Sequence, residues 1–235
     1  MNSWNESGVK RLWFVVLVTS RGAGTVLAQG KETERLAHSA KVFGEIMAAP
    51  DKGIPGDLLD KADCVAIIPS MKKAGFIFGG RYGKGMISCR NKAQTAWGPP
   101  AMVILEGGSF GLQIGGAAVD VVLLVMNRTG VDSLLSSKVT LGGDASVAGG
   151  PVGRATTAET DAAMRAKILT YSRSQGVFAG LELKGSTLRS DKDANKALYS
   201  RQIEAREILT PGKAGVPAAA HPVIKVLTRY SPKGK

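Results

Sequence analysis

The apolar positions change period near residue 63. Before it, Leu36, Ala40, Phe43 and Met47 recur at steps of four, three and four, and Val42 and Ile46 widen the stripe. Lys31, Glu32, Glu34, Arg35, Lys41 and Glu45 can take the other face, and Pro50 ends the run. The spacing predicts an amphipathic helix over 31–49 and a short helix over 56–61. After Asp63 the pattern becomes short apolar runs cut by Gly and Pro. Such runs predict strands over 64–68, 75–80, 85–89, 101–105, 110–114 and 119–126. Residues 81–84 read as a turn between two of them. Weaker strands fall at 139–141 and 145–148, and a hairpin joins 167–171 to 177–183. Residues 159–166 can start as a helix. Ser190 is placed to cap a helix over 191–201, with Asp191 and Asp193 in its positive first turn. The class is α+β: a β-rich antiparallel core flanked by N-terminal and C-terminal helices.

The two ends of the chain read differently from this body. Lys10 and Arg11 precede an apolar run over 12–18, and Val26 and Ala28 hold the −3 and −1 positions of a cut after Ala28. That order predicts a signal peptide over 1–28. The protein is then exported, either periplasmic or peripheral on the cell envelope. Residues 211–235 are rich in Pro, Gly, Ala and Lys and read as a flexible basic tail. Between them, 29–210 fits one domain with a sizeable core.

Composition narrows the chemistry. Apolar residues are 44% and charged residues 21%, which suits a globular chain rather than a disordered one or a membrane bundle. Two histidines leave little for a His-based metal site or catalytic triad, and neither a metal nor a cofactor is expected. Residues 107–111 match G-x-S-x-G, but residues 112–116 do not favour the helix a nucleophile elbow needs, and the His downstream of it is His221, in the tail. Ser70-Met71-Lys72-Lys73 matches S-x-x-K without its companion elements. No phosphate-binding Gly loop is complete. Asp120, among valines, reads as a buried acid held by backbone N–H groups. No catalytic set emerges, and the chain is expected not to be an enzyme. Cys64 and Cys89 both fall in predicted strands. In an exported chain they can form a bridge, and two buried thiols are the alternative.

The net charge is +12, and its sharpest local feature lies between Asp63 and Glu106, where no acid occurs. That stretch carries Lys72, Lys73, Arg81, Lys84, Arg90 and Lys92, interleaved with Phe76, Phe78, Tyr82 and Trp97. Strand ends and hairpin turns would hold several of these cations near one another, with Arg173 at a hairpin as a weaker seventh. Such a surface attracts phosphate-bearing partners at about 1 kcal/mol per cation near an anionic bilayer. An ordinary solvated basic face is the alternative. Nucleic acid is not expected, since no binding motif for it is present. Tail cations Lys213, Lys225 and Arg229 should matter less, because a flexible segment loses entropy on docking.

Several blocks together resemble the SYLF domain. They are 64–69, 73–85, 97–101, 111–115 with Asp120 downstream, 150–154 and 171–180, in family order across roughly 63–200. The resemblance implies a lipid-binding module without catalytic chemistry. Eukaryotic SYLF domains bind phosphoinositides, and yeast members paired with an SH3 domain also bind and bundle actin. This sequence is similar to the short exported bacterial type and shows no SH3 domain or FYVE finger. The expected partner is therefore an anionic phospholipid surface such as phosphatidylglycerol or cardiolipin, and actin is not an expected partner. The rival reading is an envelope protein-interaction or structural module that uses the same basic face on an acidic partner.

Overall fold

The computed structural model describes residues 23–49, 53–75, 78–91, 93–110, 115–127, 138–151, 166–174, 177–178 and 183–233. Helix α1 (Ala23–Met47) and the short α2 (Gly56–Lys61) lead into strands β1 (Cys64–Gly75), β2 (Phe78–Cys89), β3 (Ala101–Phe110) and β4 (Gly115–Val125). Then come β5 (Lys138–Thr140), β6 (Val147–Gly149), β7 (Ile168–Ser174), β8 (Val177–Phe178) and β9 (Thr187–Ser190). The chain continues through α3 (Lys192–Tyr199), α4 (Ala205–Leu209), a 3-10 turn (Ala218–Ala220) and α5 (His221–Tyr230). The strands form one sheet in the order β5-β9-β3-β2-β1-β4-β7-β6, with β8 beside β7. Every pairing is antiparallel except that of β6 with β7. The architecture is the α+β class read from the sequence.

Strand alternation divides the core between two faces. Cys64, Ala66, Ile68, Ala101, Val103, Leu105, Val121 and Leu123 turn to one side, against Val139, Leu141, Leu188 and α4. Val65, Ile67, Met86, Met102, Val122 and Leu124 turn to the other, where α1, α2, α3 and α5 cover them. In α1 the stripe is Leu36, Val42, Phe43 and Ile46, all buried.

Two strands are longer than their apolar runs. β1 continues through Pro69 because the ladder is interrupted there: its registers with β2 and β4 both shift between 67 and 72. Proline is tolerated in a central strand at a bulge, where no ladder N–H is required of it. β2 is one strand through 81–84, where the sequence suggests a turn. Its glycines allow β1 to lean on it: a Cβ on Gly85 would lie 2.1 Å from the Ile67 carbonyl oxygen.

The C-terminal segment corrects its reading as a flexible tail. Residues 221–230 are helical, and Val223 and Leu227 are fully buried. Phe43 of α1 meets Tyr230 edge-on, with ring centroids 6.3 Å apart. Ala220, Val223, Ile224, Leu227 and Tyr230 recur at helical spacing on the core side, a stripe present in the sequence but overshadowed there by the Pro and Gly residues before it. Strand β9 and helix α4 also carry no clear sequence signal. The helix over 191–201 is capped one residue later than expected: the Asp191 carboxylate accepts from the Ala194 N–H. The expected helix over 159–166 and strand over 110–114 fall largely outside the described residues.

Candidate functional site

The bulge in β1 decides where each cation of the acid-free stretch goes. Ser70 sits there with φ 51°, and its N–H donates to Asp120 Oδ1 at 2.9 Å. Before the bulge, even-numbered side chains of β1 face the α4 side and odd ones face α1. After it, Met71 faces the α4 side, so the parity is reversed. Lys72 therefore points to the α1 side, across from Tyr82, and Lys73 pairs with Arg81 on the opposite face.

On the α1 side a cleft of about 410 Å³ opens between the helix and the β1–β2 ladder. Lys31, Glu34, Arg35 and His38 of α1 line it, with Ser70 and Lys72 of β1 and Tyr82 and Lys84 of β2. Tyr82 is 45% exposed, and Lys72 and Lys31 lie open to solvent. Beneath the cleft is a network of charges. Lys84 Nζ donates to Asp191 Oδ2 at 2.8 Å, Arg35 approaches the same oxygen at 3.8 Å, and Arg35 also pairs with Glu32. Glu32 and Asp191 are nearly fully buried. Burial pushes the Glu32 carboxyl above its ordinary range, with Arg35 opposing. Lys84 and Arg35 are thus held by acids, and Lys31 and Lys72 have no ion pair with a described residue.

Of the seven cations read from the sequence, Lys72 and Lys84 reach this cleft. Lys73 lies on the other face. Arg81 is buried and donates to Ser186 Oγ at 3.3 Å. Arg90 is 2% exposed. Its guanidinium stacks 4.0 Å over the Trp97 ring and donates to the Ala62 and Ser231 carbonyls at 3.3 and 3.1 Å and to the Ser231 hydroxyl. Trp97 Nε1 donates to the same Ser231 carbonyl at 3.0 Å. Arg90 is therefore a clamp that ties the end of α5 to the sheet. Arg173 is taken up by Glu45 at 2.6 Å and Asp120 at 3.2 Å. Lys92 lies outside the described residues. Two of these cations thus meet at the cleft and the others do not, because 81–84 is strand rather than turn, and alternation sends neighbours to opposite faces.

The sequence reading missed Lys31, Arg35 and His38. They stand on the polar face of the predicted helix, but no local signal says that this face borders β1 and β2. Asn195 was missed too. Its side-chain amide accepts from the Met102 N–H at 2.7 Å and donates to the Met102 carbonyl at 3.1 Å, continuing the ladder of β3 past the end of β9.

Cys64 and Cys89 are directly opposite in the β1–β2 register and are joined in a disulfide. The enzyme-like motifs do not have the geometry their chemistry needs. Residues 107–110 lie within β3, paired with β2, rather than on a strand-to-helix turn. Ser70 sits in a strand bulge rather than at a helix start, and His221 is exposed at the start of α5. Among the described residues no cluster of His, Cys, Asp and Glu is placed to hold a metal, and no helix is long and apolar enough to cross a membrane.

The molecule is thus a helix-backed, curled-sheet domain with a basic cleft between its first helix and its central hairpin. The chain belongs to the Ysc84 (SYLF) family: the family model described as "Las17-binding protein actin regulator" matches residues 106–230. It is 38% identical over 177 residues to an SH3 domain-containing protein of Schizosaccharomyces pombe, covering 74% of this chain and 40% of that protein. It is 36% identical over 190 residues to LAS seventeen-binding protein 3 of Saccharomyces cerevisiae, covering 80% and 40%. To the SH3 domain-containing YSC84-like protein 1 of Rattus norvegicus it is 32% identical over 205 residues, covering 86% and 59%. The chain spans about two-fifths to three-fifths of the length of these relatives.

Proposed function

We propose that this chain is a non-enzymatic module that docks on anionic phospholipid through the cleft between α1 and the β1–β2 ladder. The observation that carries the reading is the convergence of Lys31, Arg35, His38, Lys72 and Lys84 around one opening, with the exposed phenol of Tyr82 at its side. A tyrosine there supplies an apolar body with a polar tip, which suits the level of lipid head groups. Lys31 and Lys72 are the cations available to a phosphate, since Arg35 and Lys84 are already held by Glu32 and Asp191. The export expected from the N-terminal pattern supports the choice of an envelope lipid, and the Cys64–Cys89 disulfide suits an oxidising compartment. A mature N-terminus at or near Gln29 is expected, and intact Met1 in a cytoplasmic fraction would remove that part of the reading.

Vesicle co-sedimentation tests the site. Each cation near an anionic bilayer contributes about 1 kcal/mol, and reversal adds repulsion to the lost attraction. Lys31→Glu/Lys72→Glu should therefore bind phosphatidylglycerol vesicles at least tenfold more weakly than wild type. Neither protein should pellet with phosphatidylcholine alone. Wild-type pelleting by the double variant would place the lipid contact elsewhere.

A protein partner is the second reading, favoured by the family's description as an actin regulator and by relatives named for binding Las17. Those names belong to longer proteins. They leave the expectation that actin is not a partner without support, and co-sedimentation with filamentous actin decides it directly.

A further inference from the structure

We infer that the outer face of α5 is a second, separate docking strip whose partner is an acidic helical segment of another protein. The helix is amphipathic, and its two sides are in different environments. Val223 and Leu227 are fully buried, whereas His221, Lys225, Thr228 and Arg229 are exposed. Lys225 and Arg229 are four residues apart, so they stand one above the other on the same face, about 6 Å apart at the Cβ level. The Arg229 guanidinium carbon lies 5.6 Å from the centre of the Tyr230 ring, which steadies its direction.

No acid occurs anywhere in 208–235. Some other surface cations are countered, Lys192 by Glu204, Arg201 by Glu207 and Arg189 by Glu106, whereas Lys31 and Lys72 at the cleft are not, among the described residues. Neither Lys225 nor Arg229 has an ion pair with a described residue. The strip is also rigid. Ser231, just beyond the helix, receives hydrogen bonds from Arg90 and Trp97, and its hydroxyl donates to Asp60. The ordering entropy that would weaken a mobile basic tail is therefore already met by folding.

The choice of an acidic protein over a membrane rests on the direction of the apolar side chains. A helix that lies on a bilayer turns its apolar face to the lipid. Here Val223 and Leu227 are committed to the core, and no exposed residue of α5 outside 222 is apolar. What remains is two fixed cations with one-turn spacing, the complement of carboxylates at i and i+4 on a partner helix.

The test uses the full chain and a labelled alanine-based helical peptide with Glu at every fourth position, read by fluorescence anisotropy at low salt. A peptide of the same composition with its Glu residues spread around the helix is the control. The one-face peptide should bind at least fivefold more tightly than the control. Lys225→Glu/Arg229→Glu should weaken it about tenfold, with pelleting on phosphatidylglycerol vesicles changed less than twofold. Lys225→Gln/Arg229→Gln should fall between, and thermal melting checks that both variants are folded. Equal binding of the two peptides, unchanged peptide binding by the reversed variant, or loss of vesicle pelleting in its place would each overturn the strip as an acidic-protein site.

Discussion

The two ends of the β1–β2 ladder are built from one acid-free stretch, yet they differ in every physical respect. At the 64/89 end the pairs are Cys64 with Cys89 and Val65 with Ser88, all buried, and Arg90 is locked against Trp97 and Ser231. At the 72/82 end Lys72 and Tyr82 stand open beside α1. The bulge at Pro69–Ser70 separates these ends and reverses which face each side chain takes. A cation's neighbours in sequence therefore say little about its solvent. Strand parity and the bulge say almost everything.

Arg90 and the disulfide give the largest tests of this contrast. Arg90→Met removes donors from two carbonyls and leaves Asp60 and Asp63, which now oppose the effect of burial on the guanidinium, without their cation. Losing one partner of a buried charge arrangement should destabilise by about 3 kcal/mol in urea unfolding. A loss below about 1 kcal/mol would mean that this end is not clamped as described. The disulfide comes next. Cys64→Ser/Cys89→Ser opens a loop with a sequence separation of 25. In the chain-entropy account this costs about 3.5 kcal/mol of stability, and less if the unfolded chain without the bridge keeps residual structure. Denaturant midpoints with and without reductant measure it, and the vesicle binding of the remaining folded protein should not change.

Smaller effects belong to the exposed side. Arg173 holds the Glu45 carboxyl below its ordinary range through a hydrogen bond, with burial opposing. A carboxyl lowered in the folded state stabilises above its unfolded value near 4.5, and that contribution disappears as pH falls through the folded value. Glu45→Gln should therefore flatten the stability profile below about pH 4.5, by less than about 1 kcal/mol since Glu45 is largely exposed. Chemical denaturation from pH 7 to pH 3 reads it, and an unchanged acid limb would show that the Arg173 pair adds nothing. The smallest stability effect is expected at Lys72. Lys72→Glu should alter unfolding by less than about 0.5 kcal/mol, as exposed surface changes do, and should act on vesicle binding instead. A large loss of stability there would make Lys72 part of the frame, like Arg90.

Much of the fold was legible in the chain. The i, i+3, i+4 stripe of α1 and the apolar runs of β1, β3 and β4 predict elements that the structure contains, because their burial pattern is local. The basic stretch was also legible as a charge feature. The cleft was not, because Lys31 and Lys72 are brought together only when α1 lies across the hairpin. Arg90 gave no hint of burial, because its stacking partner and its acceptors come from 97, 62 and 231. The reading of 211–235 as flexible failed because the Pro- and Gly-rich composition of 211–222 was extended over Val223, Ile224, Leu227 and Tyr230, a helical stripe that packs against α1.

By itself, then, the sequence determined the α+β class, the central strands and the membership that the ordered blocks resemble. Those properties rest on period, propensity and spacing along the chain. Tertiary structure alone decided which cations meet solvent and which support the core. The bulge at Pro69–Ser70 inverts strand parity, and side-chain direction in a strand is a property of register, which local sequence does not carry.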